Sequence, residues 1–225
     1  PEREKVKNNV DFFFDINNKT NYEIFKFVKS HELDIAIDLS GFTMFGNPEL
    51  FNFDIAKIKI NYLGYPGTMG TNNYNYIIAD KIIIPEEDKK FYSETVLYLT
   101  ENYQPFTPIP FEQNIDRSQF NLPNEGFVLG CLSRIEKILP NIFDIWMEVL
   151  NKYNDTYLAL YISESKVINN LKSYCNEKNY DFRRIIFLNH LSHLDNLKRI
   201  STFDLYLDTF PYNGHTGISD SLFQS

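Results

Sequence analysis

Apolar and polar positions along the second half of the chain fall into two alternating periods. Phe127-Val128-Leu129-Gly130-Cys131-Leu132 is a continuous apolar run, the pattern of a strand buried on both faces. Pro140 then opens a segment in which Ile142, Ile145, Trp146, Val149 and Leu150 recur at helical spacing. Tyr157 to Ile162 predicts the next strand, and Ile168, Leu171, Tyr174 and Cys175 mark a helix behind it. Arg184 to Leu188 reads as a strand. Ser192-His193-Leu194-Asp195 has the spacing of a capping box that starts a helix running through Ile200. Phe203 to Leu207 closes the series. Strands and helices that alternate in this way predict a parallel sheet with helices on both faces, whose ligands sit at the carboxyl ends of the strands. Three polar loops belong at that edge, 133–137, 189–196 and 208–217, and they are expected to converge on one crevice.

The first half is less regular. A short amphipathic helix is predicted from Tyr22 to Ser30, and another short helix over residues 47–56. Leu33 to Leu39 and Ile58 to Leu63 alternate in period two, as half-buried strands do. Further strands are expected at Tyr76-Ile77-Ile78, Ile82-Ile83-Ile84 and Val96 to Leu99, with a short acidic helix start after Pro85. Pro66-Gly67 predicts a type II turn with positive φ at Gly67, and Gly64 and Gly70 predict close backbone approach. Pro105, Pro108, Pro110 and Pro123 punctuate a stretch with no hydrophobic period. It divides the chain into a first lobe (1–104), a linker (105–123) and a second lobe (124–225).

With 225 residues, 43% of them hydrophobic, two modest cores are affordable. A net charge of -8 leaves no basic stripe and argues against a nucleic-acid partner. Two cysteines, Cys131 and Cys175, fall in apolar segments. They make neither a disulfide framework nor a zinc site, which fits a reducing compartment. No apolar run approaches membrane-spanning length. The lack of an initiator Met before Pro1 and the halt at Ser225, soon after a helix start, predict a piece of a longer protein.

The most informative stretch runs from Asp204 to Leu222. A short strand ends on Asp208, a turn rich in Pro, Asn and Gly follows, and small hydroxyl residues open a helix. Such a helix start cradles an anion through exposed N–H groups and the positive end of the helix dipole, with His215 and Thr216 at its mouth. An ordinary strand–loop–helix connection has the same spacing.

Several motifs taken together resemble the catalytic region of the O-GlcNAc transferases, glycosyltransferase family 41. They are Asp38-Leu39-Ser40-Gly41-Phe42-Thr43, Tyr62-Leu63-Gly64-Tyr65-Pro66-Gly67-Thr68, Glu136-Lys137-Ile138-Leu139-Pro140 with Ile145-Trp146 behind it, Arg184-Ile185-Ile186-Phe187, and Leu207 through Thr216. They occur in the family's order over nearly the whole chain. The resemblance implies an α/β fold of GT-B type, two Rossmann-like lobes, both incomplete here. It also implies transfer of N-acetylglucosamine from UDP-GlcNAc to Ser or Thr of proteins, with inversion, no metal and no cofactor beyond the nucleotide-sugar substrate. Lys137 matches the lysine that meets the donor diphosphate, and a compact ammonium suits a departing UDP that gains charge. His215, Thr216 and Asp220 match phosphate- and ribose-contacting positions. Leu63 and Gly64 match positions beside the donor sugar, and Arg199 with residues 191–196 matches the part that holds uridine. A cytoplasmic location, protein acceptors and upstream tetratricopeptide repeats are implied as well.

The chain departs from the family pattern at several of these places. Gly217 stands where a second hydroxyl residue is usual. Asn196 replaces a histidine, with His193 one turn earlier, and Arg134 occupies a common Gln or Asn position. Asp54-Ile55-Ala56-Lys57 replaces an Arg-Pro-Ala-Pro run, and Phe42 replaces Tyr or His. These differences leave open a GDP-fucose-dependent O-fucosyltransferase, a UDP-glucose-dependent N-glucosyltransferase, and a non-catalytic binding module. No general base is identified, and a 225-residue piece by itself is expected to be inactive.

Overall fold

A computed structural model describes residues 2–111 and 115–224. The chain divides into two compact units, Pro1–Pro105 and Phe106–Ser225. Each is built on its own four-stranded parallel sheet.

The first unit contains α1 (Glu2–Asn8), α2 (Asn21–Lys29), β1 (Ile35–Asp38), β2 (Ile58–Tyr62), β3 (Tyr76–Ala79) and β4 (Thr95–Tyr98). Its strands lie in chain order. Thr20 starts α2 through a reciprocal capping box with Glu23, whose carboxylate accepts from the Thr20 N–H at 2.8 Å. Right-handed crossovers between strands in sequential order put their connections on one face. There Phe51, Ile55, Met69 and Tyr74 form a core, with Ile77, Ala79 and Ile84 as a second cluster.

β2 does not alternate as its sequence predicts, because Lys59, Ile60 and Asn61 are all buried. Lys59 and Asn61 point to the same face as Ala36 and Ile77, the face the connections cover, so these polar side chains must find internal partners. Lys59 Nζ donates to the Phe51 and Phe53 carbonyls at 2.9 and 3.3 Å. The Asn61 amide donates to the carbonyls of Tyr65 and Gly67 at 2.9 and 3.1 Å, pinning the loop that follows.

Three local expectations for this unit are corrected. Ile82-Ile83-Ile84 is a turn, because Asp80 Oδ1 accepts from the N–H groups of Ile82 and Ile83, each at 2.9 Å, and withdraws them from any ladder. The helix expected over 47–56 is only the 3-10 segment Pro48–Asn52. Gly67 does not adopt positive φ; that conformation belongs to Gly70 and, unexpectedly, to Leu63 at 74°. Gly67 lies against the tip of the Tyr65 side chain, so a Cβ there, 2.8 Å from the ring, would make that ring shift.

The second unit contains β5 (Phe127–Cys131), α3 (Pro140–Lys152), β6 (Thr156–Tyr161), α4 (Ser165–Lys178), β7 (Ile185–Leu188), α5 (His193–Ile200), β8 (Leu205–Tyr206) and α6 (Thr216–Gln224). Its strand order is β7-β6-β5-β8. Two crossovers run outward from β5 and the third returns past it, so right-handedness places α3 and α4 on one face and α5 on the other.

The α3–α4 face holds Leu129, Cys131, Met147, Leu150, Leu158, Leu160 and Cys175. Both cysteines are free, and burial pushes each thiol up to about 11. The buried stripe of α3 is Phe143, Trp146, Met147 and Leu150, whereas Ile145 and Val149 of the expected stripe are exposed. On the opposite face Phe203 packs over β5 where Gly130 lacks a side chain; a Cβ there would lie 2.1 Å from the ring.

Residues 112–114 of the proline-rich stretch lie outside those described. Farther along it, Arg117 donates to the carbonyls of Thr202 and Gly126 at 2.8 and 3.1 Å and pairs with Asp204 at 2.7 Å, and Leu122 is buried in the second unit.

α5 begins as its sequence predicts, with Ser192 Oγ accepting from the Asp195 N–H at 3.2 Å. Ser192→Ala is expected to cost about 1 kcal/mol. A thermal melt of the chain that does not move would show that this cap carries no stability.

Candidate functional site

β5 is flanked by β6 on one side and β8 on the other, so the loops leaving β5 and β8 diverge at a topological switch point. A crevice outside the strand ends is the expected consequence. The loop after β5 winds into a short 3-10 turn, Ile135–Lys137, that carries Lys137. The loop after β8 leads through residues 207–215 into α6, whose first-turn amides face the loop.

The two loops meet. Lys137 Nζ donates to the Asn213 carbonyl at 3.1 Å and lies 4.2 Å from the centroid of the Tyr212 ring. Thr209 Oγ1 donates its one proton to the Tyr212 carbonyl at 2.7 Å and lies 3.5 Å from Ser133 Oγ, which can donate to it.

Asp208 organises this loop. Its Oδ1 accepts from the N–H groups of Thr209 and Gly214, and its Oδ2 from the Asn213 side-chain amide, each at 2.7 Å. Gly214 permits this approach, since a Cβ there would sit 2.9 Å from Ile218 and 3.4 Å from Asp208 Oδ1. Gly217 is different. A Cβ there would make only ordinary contact, 3.4 Å from the Tyr206 hydroxyl, so packing does not require a glycine.

Burial holds Lys137 below the usual lysine range; Asp208 opposes that shift and Arg134 adds to it. His215, which supplies the carbonyl for the first hydrogen bonds of α6, is lowered mainly by burial and secondly by the Lys137 charge. An ammonium, an imidazole and a helix N-terminus thus share one small volume. An anion there would relieve the crowding of positive charge. Exposed Arg134 stands at the start of the same turn and, with Lys137 and Tyr212, lines an open hollow of about 520 Å³. Thr216 opens α6 and is exposed.

A second hollow, about 330 Å³, is lined by Leu132, Tyr161, His190, His193, Asn196 and Arg199, among others. Arg199 is only 3% exposed. One of its terminal nitrogens donates to the Asn189 carbonyl at 2.9 Å, the other meets Asn196 Oδ1, and its Nε has no hydrogen-bond partner. Burial lowers Arg199 from its ordinary value. His193 Nε2 lies 3.2 Å from Asp220 Oδ2, joining the start of α5 to the first turns of α6. Lys137, Arg134, His215, Thr216, His193, Asn196, Arg199 and Asp220 therefore gather along one edge of the second sheet.

Leu63 and Gly64 belong to the first unit, at the carboxyl end of β2. Gly64 is required there because a Cβ would lie 2.3 Å from the Leu39 carbonyl oxygen. The neighbouring β1 ends on Asp38, whose carboxylate accepts from Ser40 N, Gly41 N and the Tyr74 hydroxyl at 2.9, 2.9 and 2.7 Å.

Sequence reasoning missed Asp208, Tyr212, Tyr161 and His190 as site residues. A carboxylate at a strand end was visible for Asp208; the others carried no signal. Among the described residues no three His, Cys, Asp or Glu side chains are grouped to hold a metal ion, and no helix is long and apolar enough to cross a membrane.

Two parallel α/β units, one with a lysine and a helix start facing each other at its switch point, define a protein of GT-B type. The profile of glycosyl transferase family 41 matches residues 2–105 and 112–225, and the chain belongs to that family. A relative from Arabidopsis thaliana, named as a probable UDP-N-acetylglucosamine–peptide N-acetylglucosaminyltransferase, SEC, is 26% identical over 229 residues, covering 98% of this chain and 23% of the relative. One from Eustoma exaltatum subsp. russellianum, which carries the same enzyme name with SPINDLY, is 25% identical over 238 residues, covering 98% and 24%. Among solved structures, a mutant of Thermobaculum terrenum O-GlcNAc transferase superposes with a TM-score of 0.87 at 23% identity, over 98% of this chain and 42% of that one. The chain spans about a quarter of the length of these curated relatives.

Proposed function

We propose that this chain is the part of a protein O-glycosyltransferase that joins the donor-sugar edge of one lobe to the nucleotide-binding half of the other. The reaction is inverting transfer of N-acetylglucosamine from UDP-GlcNAc to Ser or Thr hydroxyls of proteins, without a metal ion. The bond from the sugar's anomeric carbon to the diphosphate breaks as the bond to the acceptor oxygen forms, and the acceptor proton leaves to a base or solvent. The names of the relatives support the donor and acceptor classes. A cytoplasmic location and tetratricopeptide repeats elsewhere in the protein belong to the same reading.

The observation that carries it is the 3.1 Å hydrogen bond from Lys137 to the loop before α6. An ammonium has three N–H groups. One is spent on Asn213, and two remain for phosphate oxygens arriving at the helix start. Charge that develops on departing UDP then meets Lys137, His215 and the α6 amides, groups already in place before the reaction.

Calorimetric titration of the chain with UDP, GDP and their sugars tests the reading. Micromolar UDP binding with weaker GDP binding is expected. A preference for GDP would move the assignment to fucose transfer, and no binding of either would identify a non-catalytic module.

A further inference from the structure

We infer that the open face of the first unit's sheet is an interface at which two copies of this chain pair. The inference stands on the first unit alone and is independent of the nucleotide reading. Strands in chain order with right-handed crossovers put the connections from β1 to β4 on one face. α2 lies on that face too, where Phe25 and Val28 pack with Ala36 around Phe51 and Tyr74. On the other face the register sets Ile37 beside Ile60 and Ile78 beside Leu97. Ile35, Ile37 and Leu97 expose 52, 48 and 39% of their surface there, and Leu39 and Leu99, just past the strand ends, expose 58 and 42%. The stretch after β4 reaches the carboxyl end of this face, where the Tyr103 carbonyl accepts from the Tyr62 hydroxyl at 2.8 Å. A parallel sheet has both faces covered as a rule, and a contiguous apolar surface of this kind marks a site of association.

The face suits its own image. A two-fold interface sets one patch against the same patch of the partner, so charges on it meet like charges. Every strand residue on the open face is Ile, Leu, Tyr or Thr, whereas Asp38 and Lys59 point to the connection side. Two such faces pack aligned, about 10 Å apart, with their side chains interdigitated. The open side chains come to roughly 600 Å² per copy, so pairing removes about 1,200 Å² in total, the lower end for a specific interface. A weak dimer that depends on concentration is the expected form.

Sedimentation velocity on the whole chain tests this. A monomer–dimer equilibrium with a dissociation constant of about 10–100 μM is expected. Ile37→Glu on β1 and Leu97→Glu on β4 should each weaken it more than about tenfold, because a two-fold dimer then buries two unpaired carboxylates. Both side chains are already well exposed, so the variants should fold, and a thermal melt of each checks it. Ile145→Glu, on the exposed side of α3 in the second unit, should leave the constant within about twofold, since one charge on open surface costs little. A chain that stays monomeric at about 200 μM would overturn the inference and leave the face to another segment or protein. Loss with Ile37→Glu but not with Leu97→Glu would overturn it in favour of pairing along the β1 edge, and equal loss with Ile145→Glu would overturn it in favour of unspecific association.

Discussion

Lys137→Ala is expected to weaken UDP binding by about a hundredfold while uridine binding stays within about twofold. Each hydrogen bond from a charged donor to phosphate contributes about 1.5–3 kcal/mol. Two such bonds, reduced by the solvent that reaches a half-buried amine, come to about 2.7 kcal/mol, or a hundredfold. The fold should survive, because among the described residues the amine hydrogen-bonds only the Asn213 carbonyl, and the Tyr212 ring beside it is itself exposed. Lys137→Arg is not expected to rescue fully. A planar guanidinium cannot keep the Asn213 bond and the seat over Tyr212 while aiming two donors at a diphosphate. In any longer product that transfers sugar, Lys137→Ala should abolish turnover with little change in melting temperature. Wild-type UDP affinity in the alanine variant would mean that phosphate is held elsewhere, and the proposed mechanism would fall with that result.

Much of the candidate site's layout is legible in the sequence, for a reason visible in the second unit. Its strands are buried on both faces and its helices on one, so the periods of the sequence translate directly into β5, α3, β6, α4, β7 and α5. Parallel order then decides which loops share an edge, and Lys137 and residues 213–216 come together by topology.

Where the reading failed, side chains had captured backbone groups or space. Ile82 to Ile84 has the composition of a strand, but Asp80 claims its amides. Pro66-Gly67 has the composition of a type II turn, yet Gly67 does not take positive φ and the Tyr65 ring tip occupies the space beside it. The stripe of α3 is shifted because rotation of a helix is set by what it packs against, and Phe143 and Met147 face the sheet in place of Ile145 and Val149. The His193–Asp220 pair spans 27 positions on two amphipathic helices. Nothing in either helix's own pattern encodes that contact.

Asp208 poses a conflict of signs that an experiment can resolve. Its negative charge beside Lys137 opposes anion binding, so removing it should help by simple Coulomb attraction. Its oxygens also accept three hydrogen bonds that hold the loop from Thr209 to Gly214 in shape, and these should win. Two backbone amides left without an acceptor cost about 2–3 kcal/mol once partial exposure is allowed for, against well under about 1 kcal/mol for one screened charge; the Asn213 side-chain amide keeps the Thr209 carbonyl at 2.9 Å. Asp208→Ala is therefore expected to lower the melting midpoint of the second unit by roughly 10 °C and UDP affinity by more than about tenfold. Asp208→Asn keeps an acceptor for the Thr209 and Gly214 N–H groups and removes the charge, so its UDP affinity should stay within about threefold of the unsubstituted chain. If alanine binds UDP as well as or better than aspartate does, the loop needs no internal acceptor and electrostatics alone governs the site. A fall with asparagine as deep as with alanine would show that the carboxylate's charge, through its hold on Lys137, matters more than its geometry.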